Sequence, residues 1–357
     1  MFSNWFLKSF RILLLPFAIL FWLLIKLRNW AFSVGIFKSV SFGLPLICVG
    51  NLSVGGTGKS PMVEYLVLQL MNRYKIATLS RGYKRKTKGY AIANPQTTAI
   101  DIGDEPMQFH KKFPEVPVAV GEERIVAIPQ LLHDRPDTEV IILDDAFQHR
   151  AIKSGFNIVL TDFNNLYTRD FFLPTGDLRD TRQSAKRAHV IIVTKCNPSL
   201  SSYEKEEVIK ELNTLPHQHV FFSSIIYGKP YHITDHTKTD LDSDTDALLI
   251  TGIAKPRHLK NYLEERIDTY YMMQYGDHHI FSIDDWKDIV KKFDSIEADK
   301  KIIITTEKDA MRLLKFETEI GKLPLYVLPI HTNFLFDEGN AFNDLVFKFI
   351  ENFKPPD

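Results

Sequence analysis

The sequence has few cysteines, no excess of charge of either sign and no internal repeat, and these absences exclude several classes of protein. Two cysteines occur among 357 residues. Cys48 and Cys196 lie at or near predicted strands without the spacing that binds zinc, so we expect buried thiols in a reducing compartment. Lysine plus arginine and aspartate plus glutamate number 44 each, so no overall positive field favours nucleic acid. The length is sufficient for two domains of ordinary size.

What the chain does have is a glycine-rich turn between a short apolar run and a helical pattern. Residues 44–49 are typical of a buried strand, and residues 62–71 have the apolar spacing of a helix. This is the context of a P-loop, in which backbone N–H groups and the helix N-terminus surround phosphate oxygens. Lys59 is predicted to reach the terminal phosphates of a nucleotide, and Ser60 to bind Mg²⁺. The predicted nucleotide-binding residues are Ser53, which replaces the glycine of the strict pattern, Val54, Gly55, Gly56, Thr57, Gly58, Lys59 and Ser60.

The N-terminal segment is apolar enough to bind a membrane. Residues 12–25 are uncharged and are bounded on both sides by lysine and arginine. Fourteen helical residues reach about 21 Å, short of the ~30 Å hydrocarbon core. Trp5, Trp22 and Trp30 with the flanking cations suit the interface between water and lipid. We therefore expect residues 1–40 to form a membrane-seated helix, with a single membrane span as the alternative.

Acidic residues recur where predicted strands and loops end. Residues 139–143 form an apolar run that ends in Asp144 and Asp145, the Walker B pattern that places a carboxylate beside Mg²⁺. Adjacent strand residues point to opposite faces, so we expect one of the two to lie close to the metal, and the pattern does not decide which. Asp104 fits either the N-cap of the following helix or a carboxylate aimed at the γ-phosphate.

Two loops are candidates for contact with the substrate. Residues 81–89 place five cations around Tyr83, which fits a dock for an anionic substrate or lipid headgroups, or else a solvated loop. The turn-rich loop 173–180 is expected at the carboxyl end of the sheet, where α/β folds bind ligands. The candidate substrate residues in these loops are Arg81, Tyr83 and Arg179. His149, after the Walker B strand, is a further candidate, or else a structural donor to the metal shell or a plain surface residue.

A polar segment, residues 234–245, separates these motifs from a second α/β pattern. This pattern contains twin histidines at 278 and 279, without further cysteine or histidine at zinc spacing. Asp309 is a candidate for adenine contact, or else an ordinary carboxylate at a helix N-terminus. We predict an α/β protein with an N-terminal helix (1–40), a three-layer P-loop kinase core (41–228) and a smaller α/β domain (229–357).

The order and spacing of these motifs resemble the tetraacyldisaccharide 4'-kinase family of the lipid A pathway in Gram-negative bacteria. The match covers most of the chain, although this sequence has Ala146 where the family usually has glycine, and Ser60 where threonine is commoner. The matching segments, after the apolar N-terminus, are Val49-Gly50-Asn51, Val54-Gly55-Gly56-Thr57-Gly58-Lys59-Ser60-Pro61, Ser80-Arg81-Gly82-Tyr83, Gly103-Asp104-Glu105-Pro106, Asp144-Asp145-Ala146-Phe147-Gln148-His149, Leu173-Pro174 with Gly176 and Leu178-Arg179, Asp277-His278-His279, and Thr306-Glu307-Lys308-Asp309.

The resemblance implies transfer of the ATP γ-phosphate to the 4'-hydroxyl of a tetraacyl disaccharide 1-phosphate at the cytoplasmic face of the inner membrane. It implies that Asp104 is the catalytic carboxylate and that His278, taken in preference to His279, is its partner. It also implies that the site is complete only when the two domains close. The implied cofactors are ATP and Mg²⁺, and the candidate metal ligands are Ser60, Glu105, Asp144 and Asp145.

Two other functions compete with this one. A membrane-associated regulatory P-loop NTPase would share the P-loop and the acidic strand, but it would not need the second domain with His278 or the basic loop. A soluble small-molecule kinase is disfavoured by the apolar N-terminus. We expect a lipid disaccharide and the membrane surface as partners, and neither nucleic acid nor an obligate protein partner.

Overall fold

The computed structural model describes residues 11–253 and 256–356, which divide into two compact units. Unit 1 contains the chain up to Gln96, Phe113–Ile225 and the chain from Thr332. Unit 2 contains Thr97–Lys112 and Ile226–His331. Two segments therefore fall in a different unit from the one expected, because residues 97–112 belong to unit 2 and residues 332–357 to unit 1.

The described residues form two sheets. The strands in chain order are β1 (Leu46–Asn51), β2 (Ile76–Ser80), β3 (Ala91–Ile92), β4 (Val118–Val120), β5 (Val140–Asp144), β6 (Phe156–Asp162), β7 (Val190–Thr194), β8 (His219–Tyr227), β9 (Tyr231–His232), β10 (Asp246–Thr251), β11 (Tyr270–Gln274), β12 (Lys301–Thr306), β13 (Leu325–Leu328) and β14 (Ile330–Phe334). Most of them coincide with predicted strands to within one or two residues.

The helices connect and cover these strands. Within the described ranges, the α-helices are α1 (Leu15–Ser33), α2 (Lys59–Leu70), α3 (Ala99–Ile102), α4 (Asp104–Lys112), α5 (Arg124–Asp134), α6 (Ser202–Leu212), α7 (Arg257–Glu264), α8 (Ile283–Asp294), α9 (Glu307–Leu313), α10 (Glu317–Ile320) and α11 (Gly339–Glu351).

The larger sheet has the strand order β14-β8-β7-β6-β1-β5-β2-β4-β3 among the described residues. Strand β1 lies in its interior, paired in parallel with β5 and β6, and Val49 stands opposite Asp144. All residues of β1 and β5 are buried, as expected for parallel strands covered on both faces. This order brings the carboxyl end of the P-loop strand next to that of the Walker B strand.

The smaller sheet has the order β11-β10-β12-β13-β9, and it is parallel except for β9. Alternate residues of β10 belong to different hydrophobic clusters: Leu248 and Ile250 to one, Ala247 and Leu249 to the other. Because strand side chains alternate between faces, both faces of this sheet are covered.

Side-chain contacts explain why the two segments join unexpected units. Helix α11 buries Phe342 against the rings of Tyr65, Phe221 and Phe334, which fixes the C-terminal segment to unit 1. Helix α4 pairs with α9 of unit 2, where Lys112 lies 2.7 Å from Glu307. Neither contact can be read from a local sequence pattern.

The N-terminal helix is longer than the uncharged run of the sequence. A 3-10 turn at Ile12–Leu14 leads into α1. Together they form a helix of 22 residues that is long and apolar enough to cross a membrane. Signal sequences have the same length and composition. Lys26 and Arg28, which bound the uncharged run 12–25, lie inside the helix, which ends at Ser33 within the predicted N-terminal segment 1–40. At ~1.5 Å per residue its length is about 33 Å, so length no longer argues against a span. Trp5, one of the three tryptophans expected at the interface between water and lipid, lies outside the described residues.

Candidate active site

The P-loop joins β1 to α2, as predicted. Gly58 has φ +87 and lies at the N-cap of α2, a left-handed conformation that glycine adopts without strain. Gly50 at the end of β1 has no room for a side chain, because a Cβ there would lie 2.6 Å from the Cβ of Phe147. The glycines thus allow the helix to begin at Lys59 and allow the Walker B loop to approach β1.

Neighbouring segments hold this loop by its carbonyl groups and side chains. The Thr194 hydroxyl donates to the Thr57 carbonyl at 2.8 Å, and the Lys195 ammonium donates to the Gly56 carbonyl. The buried Asn51 amide donates to the Thr57 hydroxyl at 2.7 Å. Thr194 and Lys195, which follow one another at the end of β7, therefore support the P-loop.

The loop 173–180 lies along the entrance to the P-loop. The Val54 N–H donates to the Asp177 carbonyl at 2.7 Å, and the Arg179 N–H donates to the Leu52 carbonyl at 2.9 Å. This loop was expected at the ligand edge of the sheet, and these hydrogen bonds place it beside the first residues of the predicted nucleotide site.

Two cations surround Asp145. Its carboxylate accepts hydrogen bonds from Arg179 and lies 3.9 Å from the Lys59 ammonium. Burial alone would raise the pKa of Asp145, but the charges of Lys59 and Arg179 bring it below its usual range. Arg179 also donates to the side-chain carbonyl of Asn51. Arg179 was expected to contact the substrate; the structure places it against the P-loop and the Walker B motif.

Asp144 has different surroundings from Asp145. It ends β5, is buried, and accepts a hydrogen bond from the Ser80 hydroxyl at 3.2 Å. The buried Arg124 donates to the backbone carbonyl of Asp144 at 3.1 Å, and burial lowers the pKa of Arg124 to about 10. Asp145 has φ +49, so the backbone turns between the two carboxylates and separates their environments.

The remaining substrate candidates lie in two different settings. Arg81 and Tyr83 are exposed on the basic loop, whereas Arg85 of that loop is held by Glu122 at 2.7 Å. His149 is partly buried; burial, and then the charges of Arg124 and Arg81, lower its pKa to about 4. His149 is therefore neutral at physiological pH.

The second cluster lies within unit 2 and contains the predicted catalytic pair. Nδ1 of His278 lies 3.0 Å from Oδ2 of Asp104, and the Arg312 guanidinium donates to the same carboxylate oxygen. Burial would raise the pKa of Asp104, but hydrogen bonds from His278 and Arg312 and the charge of Arg312 lower it to about 2. His279 instead lies 3.0 Å from Asp285. Because Asp104 and His278 share one unit, their contact does not test the predicted domain closure, which stays a prediction.

Asp309 is fully buried and satisfied within unit 2. It accepts hydrogen bonds from the Gly252 N–H at 3.0 Å and the Thr306 hydroxyl at 2.8 Å, and it pairs with Arg312 at 3.2 Å. These contacts favour the structural alternative over adenine recognition.

The candidate metal ligands divide between the units. Ser60, Asp144 and Asp145 belong to unit 1, and Glu105 belongs to unit 2, where it pairs with Lys308. The part of the chain that the structure describes contains no group of three or more His, Cys, Asp or Glu that could hold a metal. Ser60 and one aspartate are nevertheless a sufficient donor set for Mg²⁺, which keeps several waters and binds nucleotide phosphates.

Three residues important to these clusters were not among the predicted site residues: Asn51, Arg124 and Arg312. Each is buried, and each acts through contacts with residues distant in sequence. An arginine is almost never fully buried unless it is paired, so burial would have pointed to Arg124 and Arg312, but the sequence does not show burial.

The comparisons with known proteins agree with this arrangement. The sequence model of the family Tetraacyldisaccharide-1-P 4'-kinase (LpxK) matches residues 10–350. The chain belongs to this family. It is 45% identical to the tetraacyldisaccharide 4'-kinase of Flavobacterium johnsoniae, over 97% of this chain and 99% of that protein. It is 41% identical to that of Bacteroides thetaiotaomicron, over 94% of this chain and 92% of that protein.

A solved structure extends the comparison to three dimensions. The crystal structure of LpxK from Aquifex aeolicus in complex with ATP matches with a TM-score of 0.74 and 26% identity, covering 96% of this chain and 99% of that chain. The predicted family and the α/β P-loop kinase fold are thereby confirmed, and so is the assignment as a lipid A 4'-kinase rather than a regulatory NTPase.

We predict that Asn51→Ala lowers the affinity for ATP about tenfold, because the Thr57 hydroxyl and the Arg179 guanidinium both lose a buried partner worth ~1–3 kcal/mol. Isothermal titration calorimetry measures the affinity, and Asn164→Ala at an exposed position is the matched control. Equal affinities of the two variants would show that Asn51 does not organise the loop.

Proposed function

We propose that this protein transfers the γ-phosphate of ATP to the 4'-hydroxyl of tetraacyldisaccharide 1-phosphate, with the roles assigned below. Membership of the kinase family carries the reaction and the substrate class. The observation that supports the nucleotide site is the P-loop, whose Lys59 lies 3.9 Å from the Asp145 carboxylate. Arg179 pairs with the same carboxylate.

Ser60 and Asp144 are the residues that we assign to Mg²⁺. Asp145 is already engaged by Lys59 and Arg179, whereas the buried Asp144 accepts a hydrogen bond from a neutral hydroxyl. When bound, the ion neutralises charge on the phosphate oxygens of ATP. Lys59 and Arg179 stabilise negative charge on the transferring group, which is usually the largest contribution to such a reaction.

Asp104 and His278 supply the acid–base chemistry in this proposal. A sugar hydroxyl loses its proton as phosphoryl transfer proceeds, so a positioned acceptor accelerates the step. A carboxylate hydrogen-bonded to a histidine provides such an acceptor and fixes its orientation.

The N-terminal helix places the enzyme at the surface that holds the substrate. Its exposed apolar residues include Phe17, Leu20, Leu24 and Leu27, and these would contact acyl chains while nearby cations meet headgroups. We assign the protein to the cytoplasmic face of the inner membrane, where ATP is available.

We expect the purified protein to transfer labelled phosphate from ATP to detergent-dispersed tetraacyldisaccharide 1-phosphate when Mg²⁺ is present. Lys59→Ala should abolish the labelled lipid, because the charge that contacts the terminal phosphates is lost. ATP hydrolysis without any labelled lipid would instead favour the regulatory NTPase.

Asp104→Ala and His278→Ala should each lower kcat by roughly 10²–10⁴-fold. If the two residues act as one unit, the double variant should be no worse than the weaker of the single variants. His279→Ala, which removes the histidine paired with Asp285, is the matched control. A double variant far below both single variants would contradict a coupled pair.

Removing the apolar surface of α1 should release the protein from lipid without affecting ATP. A chain that lacks the residues before Ser41, or one with Leu20, Leu24 and Leu27 each changed to serine, should lose membrane recovery and lipid turnover but keep its affinity for ATP. Tyr203→Ser, at a position 72% exposed, is the control. Unchanged sedimentation with lipid vesicles would refute the proposal that α1 binds the membrane.

A further inference from the structure

Two arginines of unit 1 meet near the end of the N-terminal helix. Arg28 lies on α1, and Arg150 directly follows the Walker B loop. Nη2 of Arg28 donates to the Gln148 carbonyl at 2.9 Å, and Nη1 of Arg150 donates to the Asn29 carbonyl at 2.6 Å. Both guanidiniums lie 5.2 Å from the centroid of the Phe32 ring, whose face attracts cations. Carbonyl groups and one aromatic ring thus hold two positive charges close together.

The carboxylate of Asp180 does not neutralise these two charges, because other groups already occupy it. It is buried, accepts a hydrogen bond from the Asn29 side chain at 2.8 Å and pairs with Arg187 at 3.3 Å. Within the described ranges, neither Arg28 nor Arg150 forms an ion pair with an acidic residue. Burial lowers the pKa of Arg150; the charge of Asp180 opposes this effect, and the charge of Arg28 adds to it. The arginine pair therefore keeps an excess of positive charge.

Both arginines have hydrogen-bond donors left for a ligand. An arginine has five N–H donors. With the residues that the structure describes, Arg28 uses one of its nitrogens and Arg150 uses two, the second being Nη2, which donates to the Ser33 hydroxyl at 3.3 Å. Both side chains are partly exposed. Partly exposed guanidiniums with free donors and an excess of charge are suited to a phosphate group.

The surface of α1 next to this pair indicates a phosphate that belongs to a lipid. Leu20, Leu24 and Arg28 follow one another at a spacing of four residues, so they are neighbours along one row of the helix surface. The two leucines are each 56% exposed. An exposed apolar row that ends in a cation fits a molecule whose acyl chains lie next to a phosphate.

Two loops of unit 1 lead from the P-loop to the arginine pair. One runs from Asp145, which lies 3.9 Å from Lys59, to Arg150, and these five residue steps span at most about 18 Å. The other begins at Asp177, whose carbonyl accepts from the Val54 N–H, and ends beside the arginines at residue 180. The 4'-hydroxyl and the 1-phosphate of the proposed substrate lie on different sugars, so this substrate needs a phosphate site separate from the P-loop.

We propose that Arg28 and Arg150 bind the 1-phosphate of the lipid substrate and so select disaccharides that carry it. The proposal rests on the function proposed above, which it deepens by assigning a site to the end of the substrate that does not react. A phosphate monoester has a charge of about −1.5 to −2 near pH 7, whereas the phosphodiester of a phospholipid headgroup has a single negative charge. The pair therefore favours the substrate over the surrounding lipid.

The test compares two detergent-dispersed lipids: tetraacyldisaccharide 1-phosphate, and the same lipid with a free 1-hydroxyl. We expect kcat/KM of the wild type to favour the lipid with the 1-phosphate. Arg28→Met and Arg150→Met should each reduce this preference about tenfold, because a charge-assisted hydrogen bond is lost with one of the two lipids only. Arg73→Met removes another arginine that lies over a phenyl ring, that of Phe347, and should keep the wild-type preference.

Two results would overturn the proposal. One is equal loss of activity on both lipids in the Arg28 and Arg150 variants, which would give these residues a purely structural role. If the preference is kept and sedimentation with phosphatidylglycerol vesicles is lost instead, the pair binds phospholipid headgroups. The other is a wild type without any preference, a result that does not depend on whether a variant folds.

Binding separates this proposal from the proposed function. Calorimetry without ATP gives the affinities of the wild type and the variants for the two lipids, and their ratio should change as the kinetic preference does. Absence of lipid phosphorylation by the wild type would count against the proposed function, whereas equal affinities of the wild type for the two lipids would count against the arginine site.

Discussion

A phosphate-binding loop needs neighbouring segments to hold its backbone in place, and several contacts of unit 1 have this role. The backbone N–H groups of such a loop are directed at the ligand, so they are not available to hold the loop in place. Here the support comes through carbonyls and side chains, from Thr194 and Lys195 on one side and Asn51 beneath. Arg179 then joins Asn51 to Asp145, so that the P-loop and the Walker B loop share one hydrogen-bonded frame.

Unit 2 obeys a related rule, namely that a buried charge is costly unless it is paired. Asp309, Arg312 and Asp104 alternate in sign and are all largely buried. Removing the central arginine would leave the Asp104 and Asp309 carboxylates without the cation that pairs with both of them. The same pairing joins α4 to α9, two helices distant in sequence.

Local patterns were sufficient for most of the elements and for the strand, glycine turn and helix start of the P-loop, because these features are encoded within short segments. They were insufficient wherever a role depends on a distant partner. Arg312 could not be recognised from the segment 306–312, because its importance comes from Asp104 and His278 in two other segments. The proposed assignment of Mg²⁺ to Asp144 rather than Asp145 likewise depends on Lys59 and Arg179, which only the tertiary structure places beside Asp145.

The length of α1 has the same explanation. Cations bound the uncharged run of the sequence, and the helix continues past them: Arg28 donates to the Gln148 carbonyl at 2.9 Å and Asn29 donates to Asp180 at 2.8 Å. These polar residues lie where the helix packs against other segments of unit 1, and their partners there allow the helix to continue through them. Gln148 in turn donates to the Asn51 carbonyl at 2.7 Å. Two hydrogen bonds through one residue therefore connect the helix proposed to meet the lipid with the strand that carries the P-loop.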